Sequence, residues 1–320
     1  MLHSALEGKR IFITGGAGFI GSHIARRAVR DGYDVHLLLK SSTNRWRLED
    51  IASSVRFHEA DLLDEKRLRD IVQKVEPQVI IHCAVSNIYG GASGSEEELF
   101  QTNFSGVLNL YRATQDLAYE CFINTGTSSE YGFRAGPMKE NDICEPASAY
   151  GIFKLAATLY GQLLARTYNK PIITLRLFSP YGPYDDMRRF IMVAAAAALN
   201  GMPLNLTSPM IARDYIYIDD VVDLYFECIA KAREVMGQVF NVGTGKQSTL
   251  GDVIVGIERV AGLKMEKTQG QIKGAPYDTN HWVADMTKTF NQFAWRPKTS
   301  LEEGLKKTFS WLKINRHLYS

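Results

Sequence analysis

Tyr150 and Lys154 stand four residues apart in Tyr-Gly-Ile-Phe-Lys, at the start of a segment with helical periodicity, a spacing that sets both side chains on one helix face within reach of one ligand. A tyrosine hydroxyl ordinarily titrates near pH ~10, but a neighbouring ammonium favours the phenolate and brings the group toward a range useful for proton transfer. Taken alone, the pair is also the pattern of an exposed helix surface. Its weight comes from Asn124-Thr125-Gly126-Thr127-Ser128-Ser129-Glu130-Tyr131-Gly132, expected to follow the fifth strand of a sheet and to lie beyond its C-terminal end, where such sheets bind ligands. Thr127 or Ser128 can hydrogen-bond a reacting oxygen and stabilise charge developing on it. Without the tyrosine, a Ser/Thr cluster would be an ordinary turn or N-cap.

A second group of residues implies what is bound. Thr14-Gly15-Gly16-Ala17-Gly18-Phe19-Ile20-Gly21 places glycines at 15, 18 and 21 between a strand and a helix. The first permits the tight turn, the second lets backbone approach a pyrophosphate, and the third lets helix pack on strand. The helix start offers free N–H groups and a positive dipole end to phosphates. The segment predicts a dinucleotide site, with a nicotinamide ring as the partner of Tyr150. At the end of the second strand, where an acidic residue would hold the ribose diol of NAD, the chain reads Leu37-Leu38-Leu39-Lys40, followed by Ser41, Ser42 and Arg45. Cations and hydroxyls there suit the 2′-phosphate of NADP, so NADP(H) is expected over NAD, which remains open if Lys40 and Arg45 are solvated charges. Asp61, after the third strand, is expected to accept from the adenine amino group.

Elements that position these groups are legible in the first half, where short β-branched runs alternate with helical patterns, as in a doubly wound parallel α/β sheet. Strands are expected at Arg10–Thr14, Val35–Leu39, Val55–Phe57, Val79–His82, Cys121–Asn124 and Ile172–Leu175, and helices at Ile20–Arg30, Glu65–Lys74, Glu98–Leu117 and Tyr150–Tyr168. After Pro180 the texture breaks into shorter elements. The expected organisation is a Rossmann-type dinucleotide-binding domain over 1–178, with returns near 213–243 and 280–286, and a smaller, mainly substrate-binding lobe over 179–320.

Bulk composition narrows the function classes. The 37 basic and 35 acidic residues leave a net charge of +2, which provides no footprint for nucleic acid or an anionic membrane. The longest apolar run, Ile191–Leu199, ends at Asn200-Gly201 and suits a core helix with a C-cap. No apolar stretch is long enough to span a bilayer and no signal sequence opens the chain, so a cytoplasmic protein is expected. Cys83, Cys121, Cys144 and Cys228 lack metal or redox spacing and are expected to be buried thiols; no metal is expected.

Together these motifs resemble the extended short-chain dehydrogenase/reductases of the nucleotide-sugar epimerase/dehydratase group, over nearly the whole chain. The resemblance rests on the Thr14–Gly21 loop, Asp61-Leu62, His82-Cys83-Ala84, Asn103 with Gly106, Thr127–Gly132, Tyr150–Lys154 and Leu175–Pro183. Later it includes Arg213–Val221, Asn241-Val242-Gly243, Trp295-Arg296-Pro297 and Ser300–Leu305. It implies Thr127, Tyr150 and Lys154 as the catalytic triad. It also implies a cofactor site including Gly15, Gly18, Phe19, Ile20, Gly21, Leu62, Cys83, Ala84, Asn103 and Thr125 with the two catalytic side chains. The nucleoside-diphosphate sugar would be met by Ser86, Ser128, Ser129, the Ser179–Tyr181 turn, Arg189 and Arg213. A homodimer through the helices at Glu98–Leu117 and Ala149–Tyr168 is the expectation by analogy. The 4,6-dehydratases carry an acidic pair directly after the threonine; Ser128 and Ser129 stand here, and Glu130-Tyr131-Gly132 looks more like the 4-keto-6-deoxy-sugar reductases. The expected activity is NADPH-dependent reduction of a 4-keto(-6-deoxy) hexose, with an NAD-dependent nucleotide-sugar epimerase as the alternative and a dehydratase after it. Lys273-Gly274-Ala275-Pro276-Tyr277-Asp278 departs from the family's phosphate-gripping Arg and Pro-Gly-Asp turn, which leaves a different diphosphate grip or nucleotide open.

Overall fold

Ile11, Phe12 and Ile13 carry no exposed surface, and a run apolar on both faces belongs in the middle of a covered parallel sheet. The computed structural model describes residues 8–86, 95–269 and 279–319. In chain order the elements are β1 (Arg10–Thr14), α1 (Phe19–Arg30), β2 (Asp34–Leu39), β3 (Val55–Glu59), α2 (Glu65–Val75), β4 (Val79–His82), α3 (Glu96–Phe100), α4 (Gly106–Thr114), β5 (Cys121–Thr127), α5 (Ala149–Tyr168), β6 (Ile172–Leu177) and β7 (Ser179–Tyr181). There follow α6 (Phe190–Asn200), β8 (Leu204–Leu206), β9 (Ala212–Arg213), β10 (Tyr215–Tyr217), α7 (Ile218–Ala230), β11 (Val239–Val242), β12 (Ser248–Thr249), α8 (Leu250–Ala261), β13 (Lys267–Gln269), α9 (Thr287–Gln292) and α10 (Leu301–Asn315).

The chain divides into two compact units, 1–130 with 148–176 and 222–240, and 131–147 with 177–221 and 241–320. This partition gives residues 131–147 and 280–286 to the second unit, whereas the sequence pattern suggested a first domain running unbroken to 178 and regained near 280.

The first unit is built on a seven-stranded sheet in the order β11-β6-β5-β4-β1-β2-β3, a Rossmann-type doubly wound arrangement. Pairings from β3 through β5 are parallel, and their register brings Thr14 and His82, at the C-terminal ends of β1 and β4, level with Asn124 of β5, which runs on beyond them to Thr127. The strand order reverses between β1 and β4, so the loops leaving those strands flank the crevice where ligands of such sheets bind. Phe12, Leu38 and Ile80 form one buried core with Leu68, Val72, Val107, Leu110 and Phe122. The α2 helix is capped by Asp64, which accepts from the Arg67 N–H, and α5 by Ser148, which accepts from the Gly151 N–H.

Two boundaries differ from the sequence pattern for identifiable reasons. The continuous helix expected over Glu98–Leu117 is two helices joined by a π turn at Gln101–Ser105. Asn103 within that turn donates to the Ser86 carbonyl at 2.7 Å and accepts from the Ser86 N–H at 3.1 Å, a long-range tie that no helical periodicity encodes. The fifth strand runs on to Thr127, and the added residues stay largely buried. Of the cysteines expected to be buried, Cys121 and Cys228 are, whereas Cys83 and Cys144 are half-buried because both lie in loops; all four are free thiols.

In the second unit, β7 pairs with β10, β9 with β12 and β8 with β13, each a two-stranded sheet. Asp214 is buried and accepts from Thr244 N–H and Oγ1, Gly245 N–H and Ala284 N–H, which pins the 243–245 and 284 segments to β9 and β10. Helix α6 ends at Gly201 with φ 63°, the left-handed C-cap that the Asn-Gly pair implied. Among the described residues, no helix is long and apolar enough to cross a membrane, and no cluster of three or more His, Cys, Asp or Glu is placed to hold a metal ion.

Candidate active site

At the crevice of the first unit, a pocket of about 310 Å³ is lined by Thr14, Gly15, Ala17 and Gly18, by Leu38 to Lys40 and Thr43, by Ala60 to Leu63, by Cys83 to Ser86, and by Glu98 and Thr102. Its floor is the glycine loop. Gly15 has φ +68°, and a Cβ there would lie 2.5 Å from the Ala84 nitrogen; a Cβ at Gly21 would lie 2.3 Å from the Gly15 carbonyl oxygen. The loop therefore turns tightly against the chain after β4 and packs directly on α1. Gly18 caps α1 with no side chain, and no acidic residue stands in the first turn, so the helix end keeps its N–H groups and positive potential for an anion. A pyrophosphate cradle beside an adenosine-sized recess fits a dinucleotide. Phe19 and Ile20 are half-buried in this first turn, Phe19 packing edge-on to His23.

The nucleotide-specifying end is more ordered than the sequence suggested. Lys40 Nζ lies 3.0 Å from an Asp61 carboxylate oxygen, and both line the pocket. Burial pushes the Asp61 carboxyl upward, but the Leu63 N–H and the Lys40 ammonium outweigh it and hold the group below the usual carboxylate range. The Thr43 N–H donates to the Lys40 carbonyl, closing a turn that brings Thr43 back to the pocket and leaves Ser41 and Ser42 exposed outside its lining. The Arg45 guanidinium lies over the Phe57 ring, 4.6 Å from its centroid, and is also outside the lining. Leu62, Cys83 and Ala84 line the pocket as expected positions would, whereas Asn103 and Thr125 support it. Asn103 holds the backbone of Ser86; Thr125 Oγ1 lies 2.8 Å from the buried Tyr225 hydroxyl and 3.4 Å from Cys83 Sγ. Burial raises the Cys83 thiol to about 11, which keeps it protonated. Ser86, expected at the substrate, lies in this same pocket and donates to Glu98 at 3.0 Å. Thr43, Glu98 and Thr102 were missed, since a reverse turn brings in Thr43, and α3 and the π turn after it bring in Glu98 and Thr102.

The hydroxyl and amine groups of the expected triad come from β5 and α5, which pack against each other. Thr127 closes β5, and its Oγ1 accepts from the Ser129 N–H at 3.2 Å as the chain enters the single turn Ser128–Glu130. Tyr150 is the second residue of α5 and half-buried; Lys154, one turn on, is only 2% exposed. Burial lowers the Lys154 ammonium from its usual range, while the Glu130 carboxylate and Cys83 act the other way. His82, fully buried at the end of β4 with Nδ1 2.8 Å from Thr14 Oγ1, is pushed down to about 3 by burial and by Lys154, and so is neutral. Ser128 is buried and Ser129 half-buried in the turn.

The second unit holds the remaining expected residues. Half-buried Ser179 donates its N–H to the Asp214 carbonyl. Tyr181 is 2% exposed, its hydroxyl donates to the Leu301 carbonyl at 3.3 Å, and Gly304 leaves room for its ring. Arg189 lies 3.4 Å from Asp185, and Arg213 donates to the Ala212 carbonyl while lying over Trp282. Burial lifts the Tyr215 hydroxyl to about 12, and Arg213 and Arg189 both act to lower it. The Lys273–Asp278 departure lies outside the described residues.

Comparison with known proteins agrees with this geometry. Residues 11–243 match the NAD dependent epimerase/dehydratase family. The chain is 26% identical to a dTDP-glucose 4,6-dehydratase of Neisseria meningitidis serogroup B, covering 96% of this chain and 94% of that protein. Among solved structures it is similar to the UDP-glucose 4-epimerase of Thermotoga maritima with UDP-glucose, at TM-score 0.88 and 27% identity, covering 96% of this chain and 99% of the other. It is also similar to the UDP-glucuronic acid 4-epimerase of Bacillus cereus in complex with UDP-glucuronic acid and NAD, at TM-score 0.86 and 25% identity, covering 95% and 99%. With the matched segment spanning both the glycine loop and the Tyr150–Lys154 helix, the chain belongs to the NAD-dependent epimerase/dehydratase family of extended short-chain dehydrogenase/reductases.

Proposed function

We propose that this enzyme is an NADP(H)-linked reductase of a nucleoside-diphosphate 4-keto(-6-deoxy) hexose. The observation that carries the reading is Lys40, a cation lining the pocket at the end of β2 where a diol-binding carboxylate would otherwise stand. Its partner Asp61 does not remove it from service: the two side chains are 49% and 41% exposed, and such a pair contributes ~1 kcal/mol or less, so a 2′-phosphate can replace the carboxylate. Ser128 and Ser129 support reduction over dehydration, since neither can act as the acid or base that removing water from the sugar requires.

When bound, the reduced nicotinamide supplies the hydride. Tyr150 gives its phenolic proton to the keto oxygen as negative charge develops there. Lys154 stabilises the resulting phenolate and lowers the cost of the transfer. The Thr127 hydroxyl donates to the same oxygen and fixes the carbonyl's orientation. Arg189 and Arg213, which the resemblance assigns to the substrate, are cations suited to a diphosphate. A homodimer through α3, α4 and α5 is part of the reading, because α5 exposes Ile152, Leu159 and Leu163 on one stripe; light scattering returning the single-chain mass of 35.9 kDa would exclude it.

A second reading, a 4-epimerase that oxidises and re-reduces the sugar with its cofactor unchanged overall, is favoured by the two similar structures named above, both 4-epimerases and one holding NAD. Denaturing the purified protein and identifying any released nicotinamide, then titrating the protein with NADPH and NADH, separates them. An empty site preferring NADPH is the expected result; stoichiometric bound NAD would establish the epimerase reading instead.

A further inference from the structure

Two neighbouring strands of the first unit bring opposite charges together in the lining of the dinucleotide pocket. β2 and β3 run parallel with Leu39 beside Glu59, and the Ala60 N–H donates to the Leu39 carbonyl at 3.1 Å. The chain leaving β2 at Lys40 therefore runs alongside the chain that leaves β3 toward Asp61. Lys40 Nζ reaches an Asp61 carboxylate oxygen at 3.0 Å, and both residues line the pocket.

The two partners are held differently. Asp61 Oδ1 accepts from the Leu63 N–H at 3.0 Å, and the Asp64 N–H donates to the Asp61 carbonyl at 3.1 Å, closing a turn into α2. These backbone contacts fix the carboxylate without any help from Lys40. Lys40 carries its ammonium on a flexible four-carbon stem, and among the described residues Asp61 is its ion-pair partner. The cation can leave, whereas the anion stays. That asymmetry bears on which dinucleotide the pocket prefers. A ribose with a free 2′-hydroxyl leaves the pair closed and the Lys40 charge compensated. A 2′-phosphate has to draw Lys40 away from Asp61, so one charge-assisted contact is exchanged for another and not gained outright.

We infer that Asp61 is a specificity-determining residue: it holds Lys40 in reserve and so narrows the margin by which this pocket favours a 2′-phosphate over a free ribose diol. The inference rests on the contact between Lys40 and the 2′-phosphate proposed above. It concerns the charge of Asp61 and not the adenine contact expected of that residue, which is the same for both cofactors and cancels in their ratio.

The test is Asp61→Asn, which removes the charge and keeps an oxygen to accept from the Leu63 N–H and from adenine. Fluorescence titration with NADPH and NADH, on protein freed of bound nicotinamide, gives the ratio of the two Kd values for the parent, Asp61→Asn, Lys40→Met and the double variant. Thermal unfolding confirms that each is folded, and Asp61→Ser, which also keeps an acceptor, decides on the same readout if Asp61→Asn is not. An exposed ion pair shifts an equilibrium by about two- to fivefold. The preference for NADPH should rise by that factor in Asp61→Asn, and adding Asp61→Asn to Lys40→Met should leave the ratio unchanged. An unchanged or lowered preference in Asp61→Asn overturns the inference. A rise that persists without Lys40 also overturns it, since Asp61 would then act on the phosphate directly. Lys40→Met alone separates this inference from the reading beneath it. If that variant keeps the parent's preference, Lys40 does not meet the phosphate and both fall; if it lowers the preference while Asp61→Asn fails to raise it, only the role of Asp61 falls.

Discussion

Gly21→Ala tests the cradle by adding one methyl group to the first turn of α1. Built on the existing backbone, the new Cβ lies 2.3 Å from the Gly15 carbonyl oxygen, 2.8 Å from Gly16 Cα and 2.9 Å from the Gly15 carbonyl carbon. All three atoms are backbone of the loop assigned to the pyrophosphate, so no side chain can swing aside. Restoring ordinary contact requires loop and helix to part by about 1 Å, and overpacking of this kind costs ~1–3 kcal/mol. Placed on the binding loop, that cost weakens NADPH affinity by roughly 10- to 100-fold. Gly16→Ala is the control, because the nearest atoms its Cβ meets are those of the Leu37 side chain, Cδ2 at 2.8 Å and Cδ1 and Cγ at 3.4 Å, so the strain falls on a core side chain and not on loop backbone. Fluorescence titration of both variants with NADPH and NADH, with thermal unfolding to confirm the fold, reads the difference. Gly21→Ala binding within about twofold of the parent protein would refute the assignment of this loop as the phosphate cradle.

Three further outcomes are expected. Tyr150→Phe should slow the chemical step by about 10²-fold or more with cofactor affinity nearly intact, measured by single-turnover kinetics; an unchanged rate would take Tyr150 out of the mechanism. Lys40→Asp should shift preference from NADPH toward NADH, and equal preference before and after would mean that Lys40 does not meet a 2′-phosphate. Stability should fall as pH drops below about 6.5. His36 of β2 and His58 of β3 stack with ring nitrogens 2.8 Å apart, and burial holds both below their usual range, His58 at about 4 and His82 at about 3. The unfolded chain therefore binds protons that the folded one refuses between pH ~6.5 and ~4. Urea midpoints should hold above pH ~7 and decline through that window, less steeply in His58→Asn; a midpoint flat across the window would contradict the burial argument.

Where the sequence was legible, the physics is local. A strand apolar on both faces, glycines at three fixed positions and a following amphipathic helix specify β1, the loop and α1 without reference to anything distant. Tyr150 and Lys154 share a face because helical spacing alone puts them there. What was not legible depends on long-range contacts. The π turn at Gln101–Ser105 exists where Asn103 ties to Ser86, seventeen residues away. Ser41 and Ser42 looked equivalent to Thr43, yet the Lys40–Thr43 turn selects only the last for the pocket. Tyr181 is packed under α10, far along the chain, through Leu301 and Gly304, a contact that no local pattern encodes. Glu130 offered a family comparison from sequence; its pairing with Arg176 needed the strand neighbour.

The central claim, net reduction at the sugar by this acid/base set, is tested most directly by mixing the purified protein with NADPH and a nucleoside-diphosphate 4-keto-6-deoxy hexose and following nicotinamide absorbance together with the sugar product. The account predicts stoichiometric loss of NADPH with formation of the 4-hydroxy sugar, abolished in Tyr150→Phe. Interconversion of a nucleotide sugar with no net consumption of cofactor, by protein already carrying NAD, would contradict it and make the enzyme an epimerase.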